Sequence, residues 1–289
     1  MPRAMPLWTS SSQRAGSVVC PSCGRLVGRG EPRCPFCGRP APAMFGLGGS
    51  LRKLESALSL WPLIGWICGA IFIATLVTDP RGPLAGVSGF FAPSPERLLA
   101  FGASGAVPVF RYGRWWSFLS ANWLHGNLLH IGMNMLFLRQ IAPAVEQLYG
   151  TGRAWIIYTV SGALGFAAST ASVFMPGLIG ALMGRGGFTV GASAALFGLL
   201  GALLHYSRRG GSRALGQMVW TCVIANVAFG LLFRGIDNWA HLGGFAGGWL
   251  LSYWLDPLKP ERPEHLIAGA LGLLVSLGAV VVSLLTWHP

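Results

Sequence analysis

Gly191-Ala192-Ser193-Ala194-Ala195-Leu196-Phe197-Gly198 sets a serine in an apolar, glycine-flanked run, and Asn238-Trp239-Ala240-His241-Leu242-Gly243-Gly244 does the same for an imidazole. Each run lies near one end of an apolar span. Polar groups inside a bilayer are costly and tend to be functional. A hydroxyl and a general base that meet in space form a serine hydrolase site. Whether these two meet is a question of topology.

Hydrophobic residues make up 53% of the chain and charged residues 10%, the balance of an all-α polytopic membrane protein. A helical span needs roughly 20 apolar residues. Candidates fall at 57–77, 127–144, 154–175, 188–206, 216–233, 238–255 and 266–287. The chain does not open on a basic region followed by an apolar core, so no signal peptide is expected.

The net charge of +12 raises the question of a nucleic-acid partner, but its distribution points elsewhere. With the N-terminus in the cytoplasm, 15 of the 21 Lys and Arg residues fall on the inner side. The other six, Arg81, Arg97, Arg111, Arg114, Arg185 and Arg234, fall outside. This is the positive-inside asymmetry, and no nucleic-acid partner is expected. The expected protein is an integral, multi-pass component of the bilayer with its N-terminus cytoplasmic.

Residues 1–18 read as a polar, disordered tail, 19–40 as a cysteine module and 41–56 as a linker. The linker contains a Pro/Gly/Ala-rich stretch and leads to a short basic helix over 51–58. Residues 57–257 form a six-span core, and 258–289 hold an appended seventh helix. A loop of nearly fifty residues, 78–126, joins the first two spans, too long to be idle. Its run from Phe110 to Leu119, with Tyr112, Trp115 and Trp116, suits the outer membrane–water interface.

In this orientation the second, fourth and sixth spans all enter from the outer face. Ser193 is then roughly 9 Å deep and His241 roughly 5 Å deep, at 1.5 Å per residue. His125, His130 and Asn134 cluster at the outer start of the second span. Gly191 and Gly198 flank the serine, while Gly243, Gly244, Gly247 and Gly248 follow the histidine. Small residues let helices pack backbone to backbone. Phe197, four residues after Ser193, shares its face and is placed to pack on the His241 ring.

These residues resemble the rhomboid family of intramembrane serine proteases. The likeness covers about 61–254: a Trp-rich first loop, a His-x-x-x-x-His-x-x-x-Asn run, a Gly-x-Ser element and an Ala-His-x-Gly-Gly element, in that order. It implies a six-helix bundle plus one C-terminal helix. It also implies a dyad without an essential acid, with Ser193 as nucleophile and His241 as general base. The oxyanion donors would be His130, Asn134 and the Ser193 backbone N–H; Phe197, Gly191 and Gly244 would support the site. Such donors are worth several kcal/mol each in a low-dielectric cavity. The substrates implied are transmembrane proteins, cut near the outer face, and no cofactor is needed for catalysis.

One position departs from the pattern. The family has Gly after the serine, where Ala194 stands here, and its methyl is expected to narrow or block the substrate groove. That departure keeps open an inactive rhomboid-like factor that binds or regulates membrane proteins. A transporter is a further alternative, although no pair of broken helices in matching halves supports it.

Other polar residues have plainer readings. Gly102-Ala103-Ser104-Gly105 spells a literal Gly-x-Ser-Gly, but in the first loop with no histidine to serve it. Asp237 reads as a helix-start residue and not as a triad acid. His125 reads as a rim residue, His205 as interfacial, and Cys68 and Cys222 as packing residues.

Cys20-Pro-Ser-Cys23 and Cys34-Pro-Phe-Cys37 are two C-x-x-C knuckles ten residues apart, each followed by glycine (Gly24, Gly38). Four thiolates at this spacing wrap a tetrahedral structural zinc, and the pattern resembles a zinc ribbon. In a reducing cytoplasm a metal site is favoured over disulfides. A segment with almost no core takes its folding energy from the metal. A protein partner of the ribbon is one expected role.

Overall fold

Among the described residues seven long helices form where the apolar runs lie: α1 Leu60–Val77, α2 Leu128–Tyr149, α3 Thr151–Ala171, α4 Ser193–Arg209, α5 Arg213–Leu232, α6 Asn238–Trp254 and α7 Pro263–Leu285. The computed structural model describes residues 16–20, 23–28, 31–40, 57–82, 90–175, 177, 183, 187–210, 213–232 and 235–287. The expected linker over 41–56, and with it most of the short basic helix, lies outside the described residues. Among the described residues five helices are long and apolar enough to cross a bilayer. The exceptions, α4 and α6, have 17 residues each and carry Ser193 and His241.

Local chemistry fixes the helix starts. Asn127 accepts the His130 N–H at 2.8 Å and caps α2, and Asp237 accepts the Ala240 N–H at 2.9 Å and caps α6. In both, a short polar side chain satisfies a backbone donor that the helix itself leaves unpaired. Between α2 and α3 the chain reverses through Gly150 alone, at φ +84°. A side chain there would strike the Glu261 carboxylate at 2.2 Å.

α4 is the central helix, buried without a break from Ala194 to His205. α6 packs on both α4 and α3, and its glycines allow the approach. A Cβ on Gly244 would stand 2.0 Å from the Ala194 carbonyl oxygen, and one on Gly248 1.9 Å from that of Gly198. From the other helix, a Cβ on Gly201 would meet the Phe245 carbonyl at 2.2 Å. Lipid tails give helices no hydrophobic reason to associate, so this backbone-to-backbone contact does the holding.

At the end of the bundle away from Ser193, Glu146 of α2 accepts the Leu60 N–H at 2.8 Å and the Ser59 hydroxyl at 3.2 Å. The buried Arg153 of α3 donates to the carbonyls of Tyr149, Asp256 and Lys259. One guanidinium thereby ties the α2–α3 reversal to the α6–α7 connection.

The structure corrects two boundaries. α4 starts at Ser193, five residues later than the span expected from 188. Gly191 sits at φ +133° and its N–H bonds to the Ala121 carbonyl at 3.0 Å, so helical geometry cannot begin before it. Non-helical backbone at this depth is tolerable because it is buried in protein. Next, β1 (Ser17–Val19) pairs antiparallel with β2 (Leu26–Gly28), so Ser17 and Val18 belong to a hairpin and not to a disordered tail. The C-terminal helix α7 packs along α3 and against the first-loop segments Pro95–Phe101 and Ser117–Ser120. A Cβ on its Gly269 would stand 2.6 Å from the Gly152 carbonyl.

Candidate active site and cysteine cluster

Gly191 turns the chain into α4, and Ser193 is the first helical residue, with no side-chain cap before it. Its Oγ lies 2.9 Å from His241 Nε2. The Phe197 ring, one turn on from the serine, lies flat against the imidazole with centroids 4.2 Å apart and planes 6° apart. His241 is 6% exposed and Phe197 2%, so the pair is held inside the bundle. Among the described residues His241 Nδ1 has no hydrogen-bond partner. Asp237 does not serve it: its carboxylate is taken by the Ala240 N–H and the Ser169 hydroxyl.

His130 stands across Gly191 from the serine. A side chain at Gly191 would lie 2.7 Å from His130 Nε2 and 3.6 Å from Ser193 Oγ, so the glycine keeps the space between them open. The Gly126 N–H donates to His130 Nδ1 at 3.3 Å, which leaves the Nε2 position as the protonated one in the neutral ring. Asn134, one turn further along α2, donates from its amide to the His130 carbonyl at 2.9 Å.

His125 is not at the rim. It is 1% exposed, set edge-on to His130 at 5.2 Å, and burial pushes its pKa well below the usual histidine value. His205 is buried between Trp249 and Tyr253. Ser104 is fully buried; its backbone pairs with Thr189, and its hydroxyl is 3.1 Å from that of Ser117. Cys68 is buried in α1.

The Ala194 methyl is also fully buried. It packs with Ala121, Phe166 and Ala240, facing Gly165 of α3, where a Cβ would come within 2.9 Å of it. Successive helical residues point about 100° apart, so this methyl and the Ser193 hydroxyl face different ways.

The catalytic-type motifs do not announce the part that α3 plays in holding α4 and α6 together. Gly165 makes room for the Ala240 carbonyl and Ala194, Ser161 packs on Gly198, and Ser169 holds Asp237. The spacing of Ser161, Gly165 and Ser169 at four residues was the available signal: a stripe of small residues along one helix face.

At the far end, the hairpin β1–β2 carries the first cysteine knuckle. The two knuckles repeat one geometry: the Gly24 N–H donates to the Cys20 carbonyl and the Gly38 N–H to the Cys34 carbonyl, both at 2.9 Å, with both glycines at φ +72°. All four sulfurs lie within 4.8 Å of one another. Cys20 and Cys37 are 3.7 Å apart and Cys23 and Cys34 3.6 Å. Tetrahedral zinc with bonds of about 2.3 Å requires sulfurs about 3.8 Å apart, so the residues fit a metal ion. The Arg25 backbone favours the Cys23 thiolate, but desolvation and hydrogen bonds with Cys34, Cys37 and Cys20 outweigh it and push the thiol up to about 12. A divalent cation reverses that balance. The cluster sits beside the α6–α7 connection, where Arg39 pairs with Glu264 at 2.8 Å.

A bundle of membrane-capable helices enclosing a paired serine and histidine defines a polytopic membrane protein with a hydrolase-like interior site. The particular family follows from comparison: a model of the Rhomboid domain matches residues 112–257, half of the chain, and the chain belongs to the rhomboid family. Relatives include "Rhomboid protease GluP" of Bacillus subtilis (strain 168), 34% identical over 187 residues, covering 63% of this chain and 34% of that protein. "RHOMBOID-like protein 4" of Arabidopsis thaliana is 36% identical over 172 residues, covering 56% of this chain and 40% of its own length. "Rhomboid-like protease 1" of Toxoplasma gondii is 28% identical over 246 residues, 82% of this chain and 76% of that protein. The first two thus extend well beyond the shared part.

Proposed function

We propose that this chain is an intramembrane serine endopeptidase that cleaves transmembrane proteins by a Ser193–His241 dyad. The contact between Ser193 Oγ and His241 Nε2 at 2.9 Å, inside a bundle of membrane-capable helices, carries the reading. Two relatives, the Bacillus and Toxoplasma proteins, bear the word protease in their names.

In this mechanism His241 Nε2 accepts the Ser193 proton as Oγ attacks the scissile carbonyl, and returns a proton to the leaving amine. Water then releases the acyl group by the same route. Phe197 fixes the imidazole plane, and its ring face favours the imidazolium formed in between. The oxyanion develops in the space that Gly191 leaves open beside His130 Nε2, with the Ser193 N–H at the uncapped start of α4 and, by the family resemblance, the Asn134 amide as further donors. Gly244 lets α6 approach closely enough to deliver His241. The charge asymmetry supports a cytoplasmic N-terminus, with the site towards the outer face.

The alternative of an inactive binding factor depends on Ala194. That methyl packs with Ala121, Phe166 and Ala240, which argues against its obstructing the serine. An active-site-directed phosphonate should label wild type and fail on Ser193→Ala and His241→Ala. Unlabelled, correctly folded wild type would count against catalysis.

Cys20, Cys23, Cys34 and Cys37 would hold a structural zinc that folds the N-terminal ribbon and lets it meet a protein partner. These cysteines lie at the far end of the bundle from Ser193, so a metal held there would take no part in catalysis. Cys34→Ser should remove bound zinc, read by atomic emission, and leave proteolysis in place. Unchanged metal content would refute the assignment.

A further inference from the structure

α7 begins beside the cysteine cluster, and its last turn reaches the end of the bundle that holds Ser193. There Ser283, fully buried, accepts a hydrogen bond from Trp116 Nε1 at 3.0 Å on its hydroxyl. Its carbonyl accepts one from Arg114 Nη2 at 2.6 Å. Arg114 Nη1 donates to the Leu99 carbonyl at 2.6 Å, and the Trp287 ring closes over the guanidinium at 5.5 Å. Gly102 admits the clamp: a Cβ there would stand 2.2 Å from Ser120 Oγ and 2.5 Å from Ser283 Oγ. An arginine only 4% exposed, with its terminal nitrogens on main-chain carbonyls of two elements, is a structural tie and not a solvated charge.

From this clamp the first loop runs directly to the approach of Ser193. Ser104 exchanges two backbone bonds with Thr189, at 3.0 and 2.8 Å. The Val107 N–H donates to the Gly187 carbonyl at 3.2 Å, and the Gly191 N–H to the Ala121 carbonyl at 3.0 Å. Segment 187–191 is therefore laced to residues 104–121, and that segment is fastened to α7. The link is a set of hydrogen bonds in a water-poor setting, where a lost partner leaves an unsatisfied group.

We infer that Ser283, Trp116 and Arg114 are positioning residues through which α7 sets the placement of Ser193, making the seventh helix part of the proteolytic unit. This rests on reading Ser193 as the nucleophile.

The test uses the full chain in lipid nanodiscs and compares Ser283→Ala, Ser283→Thr, Trp116→Phe and Ser276→Ala. The last is a control, since the Ser276 hydroxyl bonds only within its own helix, to the Leu273 carbonyl. Amide hydrogen exchange over 187–192 reads the relay without reference to activity. Ser283→Ala and Trp116→Phe should each speed exchange there about five- to tenfold, while Ser283→Thr and Ser276→Ala match wild type. In reporter cleavage the first two should lower kcat with KM within about twofold, and Ser283→Thr should restore it. Unchanged exchange over 187–192 in both Ser283→Ala and Trp116→Phe overturns the relay. So does acceleration spread evenly over α4 and α6, which is the mark of general loosening. Local acceleration in a chain whose wild type cleaves nothing upholds the relay and counts against the proteolytic reading alone.

Discussion

The Phe197 ring stacks on the imidazole of His241, 4.2 Å between centroids and nearly parallel. These residues sit on α4 and α6, and the stack fixes the plane in which His241 Nε2 meets Ser193 Oγ. Among the described residues Nδ1 has no hydrogen-bond partner, so in the proposed dyad the aromatic face would do the orienting that a carboxylate does in a triad.

Phe197→Ala is therefore expected to lower kcat by about 10- to 100-fold, the scale of a misplaced catalytic group, with little change in KM. Phe197→Tyr should keep most of the activity because the ring remains. Steady-state cleavage in liposomes separates the two parameters. Equal loss in both variants would point to general unfolding of the site.

The glycine seam between α4 and α6 gives a second expectation. Gly248→Ala places a methyl 1.9 Å from the Gly198 carbonyl oxygen, whereas Gly278→Ala on α7 meets nothing within 4 Å. The first should lower the melting temperature in detergent and abolish activity; the second should do neither. A Gly248→Ala protein as stable and active as wild type would show that the helices do not meet this closely.

Ala194→Gly, by contrast, is expected to open nothing. It removes a methyl packed against Ala121, Phe166 and Ala240 and puts a weaker helix former into α4, a loss of about 1 kcal/mol. Thermal unfolding should fall slightly and cleavage should not rise. A clear gain of activity would mean that the methyl obstructs the substrate after all.

Much of this architecture is legible in the amino-acid sequence. The seven apolar runs, the glycines around Ser193 and His241 and the four-residue step to Phe197 are periodic signals, and helices preserve such spacing. The two C-x-x-C-Gly knuckles are legible because five residues contain their own geometry. What escapes depends on contacts distant in sequence. The start of α4 is set by Gly191 bonding to Ala121, seventy residues away in the chain, so hydropathy alone places it too early. His125 reads as rim, yet it is buried and set edge-on against His130. Arg153 reads as one more inner-side charge, yet it ties three carbonyls together. The apolar run of α7 announces a span but not that its last turn clamps Arg114 and Trp116.

The central claim is that Ser193 and His241 cut peptide bonds within the membrane. The most direct measurement reconstitutes wild type, Ser193→Ala and His241→Ala in liposomes with a transmembrane reporter and follows fragment release. Cleavage by wild type that drops at least about 10³-fold in each variant, with all three equally folded, is the expected result. Cleavage that survives Ser193→Ala would contradict it, because the bond would then be broken by some other group.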